Sequence, residues 1–513
     1  MLKFFIRCNH ICLLHYDVLY CNVVNYTLVN YDLVSYNLVK YNLEDGDQMF
    51  IGRKKELTKL EKMYQADKFQ FAAIYGRRQI GKTALINEFV RNKPTIYFTG
   101  LEENEFYNLE RFSSAIEHFK DPDSLSSVNY GNFENCFREI ARLAQKERIV
   151  LVIDEYPYLA NAVHAISSML QSYIDHEFKQ TNLFLILCGS SMSFMEEQVL
   201  SYKSPLYGRR TAQFKLQPFT LHETQEYFPH MDKEEAFILN TITGGIPLYL
   251  SYMSEDKDVW ENIEENFMDV NAPLFQEPNN LLKQELRDPA NYNSIINAIA
   301  GGASRINDIA TKAHLSTPLV TSNVTNLIEL GIIERKVPVT DQAKPKSRKT
   351  IYQIADGLFR FWYTYLGKYM SSIDRGQTSL VMKVIKQDLH NFMGPEFEKL
   401  AQNYMWDHDE DDEVIPMPFI YLGNWWGNDP QEKKQVELDV VGLTADNLVG
   451  YFGECKWKKD PIPRSVLEKL INLSNLISVA KRHYYLFSKS GFTDSCTELA
   501  EQVGCKLISF DEM

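Results

Sequence analysis

The stretch Gly76-Arg77-Arg78-Gln79-Ile80-Gly81-Lys82-Thr83 satisfies the phosphate-loop pattern GxxxxGK[ST] at every fixed position. Its chemistry follows from the residue types. The glycines let backbone N–H groups turn inward around phosphates, Lys82 carries a point charge to the β/γ oxygens, and the Thr83 hydroxyl can ligate Mg²⁺. Such a loop works only between a strand and a helix. The apolar run Phe71 to Tyr75 leads into it, and Thr83 to Arg91 reads as a helix with Leu85, Ile86 and Phe89 on one face. ATP and Mg²⁺ are therefore the expected cofactors, with residues 76–83 as the nucleotide cradle. The bland alternative is a glycine turn in an unrelated fold.

A second site element follows at Ile149-Val150-Leu151-Val152-Ile153, an unbroken apolar run that reads as a buried parallel strand and ends in Asp154-Glu155. This is a Walker B pattern. Asp154 is expected to hold Mg²⁺ through water and Glu155 to orient or deprotonate the attacking water. Lys82 and Asp154 should then converge across neighbouring strands on one magnesium-bound triphosphate. A third apolar run, Leu183 to Cys188, ends at Gly189-Ser190-Ser191, where Ser190 is the candidate γ-phosphate sensor. Arg209 and Arg210 precede a further strand, Ala212 to Leu216, and are candidates to stabilise transition-state charge in their own or a neighbouring subunit. Packing against a surface carboxylate is the alternative for either arginine.

The ordered set MFIGRKKEL, GRRQIGKT, IVLVIDEYP, LCGSS, PLYGRR and GGIPLYL, spanning roughly residues 49 to 275, resembles the archaeal-type ATPases, a branch of the AAA+/STAND P-loop NTPases. The resemblance implies that Gly245 and Pro247 lie against the nucleotide base and that the Gly52-Arg53 turn borders it.

At 513 residues the chain has room for about three domains, each able to bury its own core. Hydrophobic residues at 45% and charged residues at 24% are those of an ordinary globular protein. No run of eighteen apolar residues exists, so no membrane partner is expected. The net charge of −14 argues against a surface generally adhesive to nucleic acid, so any DNA contact must be local. Eight cysteines without paired spacing suit a reducing, cytoplasmic setting and offer no zinc site. The first 48 residues carry a five-residue repeat beginning at Tyr26, Tyr31, Tyr36 and Tyr41, a period that matches neither helix nor strand. Translation is expected to begin at Met49.

Residues 290 to 350 form a second organised unit. Tyr292 to Ala300, a short helix from Arg305, and a third helix capped by Ser316-Thr317-Pro318 precede two alternating segments around Ile332–Val337 and Thr350–Ile354. Helix, helix, recognition helix and ribbon is the winged helix-turn-helix order. Eight Lys/Arg stand here against four Asp/Glu, an inversion of the chain's overall charge that favours phosphate contact. No arginine in the third helix is available to grip guanine, so domain packing is the alternative use.

Toward the C-terminus, the aromatic face Phe359 to Tyr365 reads as interdomain core. Gly394-Pro395-Glu396-Phe397-Glu398 is expected to open a helix, and Asp439 and the pair Glu454-x-Lys456 lie on two expected strands. The arrangement fits the PD-(D/E)XK pattern: Asp439 and Glu454 share a divalent metal, Glu398 completes the ligands, and Lys456 projects toward the scissile phosphate from the same strand face as Glu454. It resembles the restriction-endonuclease-like domain that accompanies archaeal-type ATPases. The resemblance implies the fold more firmly than cleavage; a metal-free relic is the alternative.

The expected fold is α/β: a P-loop parallel-sheet core at 49–220, a helical lid at 221–285, a winged helix-turn-helix at 286–355 and a restriction-endonuclease-like domain at 356–513, with 1–48 a low-complexity segment. The expected function is an ATPase whose nucleotide state controls a DNA-binding winged helix and a nuclease-like domain, with a homo-oligomer allowed. The competing reading is a STAND-type signalling or scaffold switch whose last domains bind protein and cleave nothing.

Overall fold

The computed structural model describes residues 50–123, 128–344, 346–430 and 432–513; the repeat segment and Met49 lie outside the described residues. The chain folds as two units. The first runs through Pro229 and takes back Gly245–Ser254; the second holds His230–Gly244 and Glu255–Met513. The segment expected as a lid is thereby divided, with Leu221–Tyr227 and Pro247–Leu250 in the first unit and Lys233–Thr243, Val259–Phe267 and Pro273–Glu285 in the second.

The first unit is built on five parallel strands: β1 (Gln70–Tyr75), β2 (Thr95–Thr99), β3 (Ile149–Asp154), β4 (Leu183–Gly189) and β5 (Ala212–Lys215). Every residue of β1, β3 and β4 is buried, which is what continuous apolar runs require of a sheet covered on both faces. The spatial order is β2-β3-β4-β1-β5. One expectation is corrected here: β1 and β3 are not neighbours, because β4 lies between them, and Lys82 and Asp154 converge across that intervening strand. Crossover connections let successive strands be laid down on either side of the first, so chain order does not dictate spatial order. The helices Glu105–Lys120, Phe133–Ala144 and Ile166–His176 bury Phe112, Phe137 and Leu170 against one face.

The turn after β2 is held by Asn108, whose side chain is wholly buried. Its Oδ1 accepts from the Leu101 N–H (3.1 Å) and its Nδ2 donates to the carbonyls of Leu101, Glu103 and Asn104 at 3.1–3.2 Å. This turn lies against the Asp154–Glu155 backbone, where Gly100 N–H donates to Asp154 O at 2.8 Å and a Cβ on Gly100 would meet Glu155 O at 2.8 Å. Asn108→Leu strands those backbone groups, and urea denaturation should read a loss of about 2–3 kcal/mol. A loss below 0.5 kcal/mol, on the scale of ordinary surface substitutions, would show that the turn is held by other means.

In the second unit, the helices Pro289–Ala300, Ile306–Ala313 and Thr317–Glu329 are followed by an antiparallel ribbon of β6 (Ile333–Lys336) and β7 (Ile351–Ile354). Phe359, Phe361 and Trp362 are buried within the unit, and the Trp362 indole donates to Phe275 O at 2.8 Å, so the aromatic run is core and not a base-stacking surface. Beyond it, β8 (Tyr421–Asp429), β9 (Lys434–Leu443) and β10 (Val449–Lys456) form an antiparallel meander. Parallel β11 (Lys481–Ser488) and β12 (Cys505–Ser509) extend it to a five-stranded sheet ordered β12-β11-β10-β9-β8. The helix expected to open at Gly394 instead runs from Thr378 to Asp407 with Pro395 inside it. Burial of Val381, Ile385, Leu389, Phe392 and Met393 on one stripe carries the helix through the proline. No helix among the described residues is long and apolar enough to cross a membrane.

Candidate nucleotide site and acid pocket

The phosphate loop turns through conformations that its glycines permit. Gly76 has φ 153°, and a Cβ there would stand 2.9 Å from Leu216 O; Gly81 has φ 89°. Gln79 also adopts a positive φ, 63°, a strained value of the kind concentrated in ligand-binding loops. At the first turn of the helix Lys82–Val90, the Lys82 ammonium donates to the carbonyls of Gly76 (3.0 Å) and Arg77 (2.9 Å). The loop thus folds around its own lysine, holding the charge where phosphate oxygens would take over from the carbonyls.

At the end of β3, Asp154 is buried, and its Oδ2 accepts from the Thr83 hydroxyl (3.2 Å) and the Tyr97 hydroxyl (2.9 Å). A hydroxyl and a carboxylate this close are hard oxygen donors that fit a Mg²⁺ ion retaining several waters. Glu155 sits in the left-handed region (φ 47°) as the chain turns into the helix Tyr156–Ala162, and Ser190, one residue past β4, donates to its Oε2 at 3.1 Å. Burial, then the neighbouring Asp154 charge, pushes the Glu155 carboxyl above its ordinary range, with Lys82 and Ser190 opposing. An acid so placed is a stronger base than a solvated one. Ser190, expected as a γ-phosphate sensor, bonds instead to the candidate base.

The remaining loop and border residues fall around this centre. Arg78 donates to the Tyr158 hydroxyl (2.8 Å), and Ile80 is buried with its carbonyl accepting from Arg53 Nη2 (3.1 Å). Arg53 also reaches Gln217 O (2.5 Å) and lies over the Phe219 ring at 5.1 Å, while Gly52 at φ 70° makes the turn before it. Gly245 O accepts from the Phe219 N–H (2.7 Å), and Pro247 Cγ is 3.9 Å from where a Gly81 Cβ would be. Gly52, Arg53, Gly245 and Pro247 thus border the loop. The two arginines lie otherwise. Arg209 forms an ion pair with Asp175 (2.5 Å), and Arg210 bonds to Gln213 (3.0 Å) and Leu200 O (3.1 Å).

In the C-terminal sheet, Asp439 on β9 and Glu454 on β10 share one ammonium: Lys456 Nζ is 2.6 Å from Glu454 Oε1 and 3.9 Å from Asp439 Oδ2. Asp439 Oδ2 also accepts the Cys455 N–H at 2.9 Å. Glu398, from the long helix, faces Asn424, whose Nδ2 donates both to Glu398 Oε2 (2.8 Å) and to Asp439 O (3.0 Å). Burial, then the Glu454 and Glu398 charges, pushes Asp439 well up; burial pushes Glu398 up to about 7. Upward shifts of this kind mark carboxylates crowded together and removed from water. Among the described residues no three His, Cys, Asp or Glu side chains converge closely enough to hold a metal by themselves. A divalent ion here would have the Asp439–Glu454 pair as its protein ligands and keep most of its waters, while the Glu398 carboxylate is engaged by Asn424.

Residues 50–253 match the model of an ATPase domain predominantly from Archaea, and residues 362–469 match a family described as "Archaea bacterial proteins of unknown function". Over 445 residues the chain is 31% identical to the uncharacterized protein MJECL04 of Methanocaldococcus jannaschii, covering 86% of this chain and 96% of the relative. The chain belongs to the archaeal-type ATPase family. A 48-residue segment is 46% identical to the uncharacterized ATP-binding protein MJ0423 of the same organism, 9% of this chain and 81% of that one. Among solved structures, the Walker-type ATPase PABY2304 of Pyrococcus abyssi is similar at 20% identity over 61% of this chain and 96% of its own, with a TM-score of 0.48.

Sequence reasoning about this archaeal-type ATPase missed Tyr97, Asn424, Gln402 and Lys336. Tyr97 carried no motif. Asn424 was legible in part, as a lone amide beside Trp425 and Trp426 in a strand; a bulge between Gly423 and Trp425 turns it into the pocket. Gln402 Nε2 donates to Asp439 O at 3.0 Å, and Lys336 Nζ stands 3.4 Å from Asn424 Oδ1.

Proposed function

We propose that this protein is a Mg²⁺-dependent ATPase whose nucleotide state governs a nucleic-acid-directed C-terminal module. The observation that carries the reading is the convergence of Lys82, Thr83 and Asp154 with Glu155 beside them. Residues 76–83 would cradle the triphosphate, with Gly52, Arg53, Gly245 and Pro247 bordering it. Thr83 and Asp154 would hold Mg²⁺, which supplies charge neutralisation to the phosphates when bound. Glu155, oriented by Ser190, accepts the proton of the attacking water. Arg209 or Arg210, released from their present partners, would act on a neighbouring subunit's nucleotide in a homo-oligomer. The three helices and the ribbon serve as a winged helix that holds DNA. Asp439, Glu454 and Lys456, aided by Glu398, form a nuclease-like site for its backbone.

Lys346, Arg348 and Lys349 are exposed on the loop between β6 and β7, whereas Lys344 is paired with Asp341 at 2.5 Å. Neutralising those three should weaken duplex binding and reduce the slope of log K against log[salt] by about 3. Fluorescence anisotropy across salt measures this. A wild-type protein that binds no duplex at low salt sinks the DNA reading. One observation favours the STAND-type scaffold alternative: the same loop buries Val339 in the core of the C-terminal sheet, a use in domain packing. Duplex affinity measured with ATP and with ADP separates the two readings, because a nucleotide-driven DNA module requires the affinities to differ.

A further inference from the structure

The ribbon does not project freely. Val339 shares a hydrophobic cluster with Trp425, Val436 and Leu438, the Trp426 indole donates to Lys349 O at 3.1 Å, and Gln342 Nε2 reaches Leu422 O at 3.4 Å. This docking brings the end of β6 to the acid pocket. Lys336 Nζ stands 3.4 Å from Asn424 Oδ1, and the opposite end of that amide donates to Glu398 and to the Asp439 carbonyl. An amide has one accepting and one donating end, so a cation on Oδ1 fixes which end faces the acids. Gln402 Nε2, at 3.4 Å from the same oxygen, reinforces that orientation.

We propose that Lys336, supplied by the ribbon, is a charge-balancing residue of the C-terminal acid pocket, so that ribbon and pocket form one functional unit. The inference rests on the reading of the pocket as a divalent-cation site. Glu398, Glu437, Asp439 and Glu454 bring four carboxylates to the pocket and its rim, against the ammonium groups of Lys336 and Lys456. Lys336 is also the end of a chain of alternating charges. Arg360 meets Glu396 at 3.3 Å, Glu396 meets Lys399 at 3.0 Å, Lys399 meets Glu334 at 3.6 Å, and Glu334 meets Lys336 at 3.9 Å. A simple surface pair with Glu334 would leave Lys336 without effect on the pocket, yet its approach to Asn424 is the shorter of the two.

The test is calorimetric titration of nucleotide-free, full-length protein with Mn²⁺, following the isotherm that Glu454→Gln abolishes. Lys336→Met and Lys336→Gln remove a positive charge beside the acids and should tighten Mn²⁺ about tenfold. Glutamine keeps a donor for Asn424, which guards against misfolding as the cause, and Lys336→Arg, which keeps the charge, should bind like wild type. Merely structural damage moves the affinity the other way. A Glu454-dependent isotherm left unchanged or weakened by both neutral variants overturns the role of Lys336 alone. Absence of any Glu454-dependent isotherm in wild type overturns the divalent-cation reading as well, leaving the nucleotide site untouched.

Discussion

Glu155→Gln protein should bind ATP as tightly as wild type and hydrolyse it on the order of 10²–10⁴ times more slowly, the usual worth of a positioned general base. The substitution keeps shape and the Ser190 hydrogen bond while removing the lone pair that accepts the water's proton. Lys82→Ala should behave differently. It removes the charge now held by the carbonyls of Gly76 and Arg77 at 3.0 and 2.9 Å, so ATP affinity itself falls by roughly a hundredfold, the worth of charge-assisted hydrogen bonds near 3 kcal/mol. Equilibrium binding of a fluorescent ATP analogue and steady-state phosphate release distinguish the two. A Glu155→Gln enzyme with wild-type turnover excludes Glu155 as the base, and a folded Lys82→Ala protein with wild-type affinity removes the nucleotide-driven reading altogether.

The proposed nuclease-like role requires divalent-dependent nicking of a supercoiled plasmid that Asp439→Ala and Glu454→Ala each abolish. Each removes half of the carboxylate pair that Lys456 now bridges, a charge stabilisation worth several kcal/mol, on the order of a thousandfold in rate. Glu398→Gln should cost less, because that carboxylate is already engaged by the Asn424 amide. Cleavage that survives both alanine variants places the chemistry elsewhere, and equal loss in all three would return Glu398 to the ligand set.

Much of the nucleotide site was legible because its chemistry is local. A glycine turn, a lysine and a threonine within one loop occupy fixed places once a strand precedes and a helix follows, and an acid after five buried residues must emerge at a strand's carboxyl end. Less legible was what met what. Arg209 follows a motif that suggests a transition-state role, yet its guanidinium is bound to Asp175, from a helix that nothing in the local sequence connects to it. Glu398 stands in the expected order relative to Asp439 and Glu454, but a strand bulge delivers Asn424 between helix and sheet and holds it back. Bulges and single buried amides carry almost no pattern in a sequence, because their effect depends on which residue lies opposite.

By itself, the amino-acid sequence determined that this chain carries a P-loop between a buried strand and a helix, an acidic pair at the end of a second strand, and a basic ribbon in an otherwise acidic protein. Periodicity and motif spacing are properties of a few consecutive residues, so they survive without knowledge of the rest. Only the tertiary structure decided that β4 separates β1 from β3, that the loop between β6 and β7 anchors in the C-terminal core, and that Lys336 faces the acids of a sheet about one hundred residues away along the chain. Those facts arise from the packing of distant apolar faces, whose summed burial outweighs the preferences of any one segment.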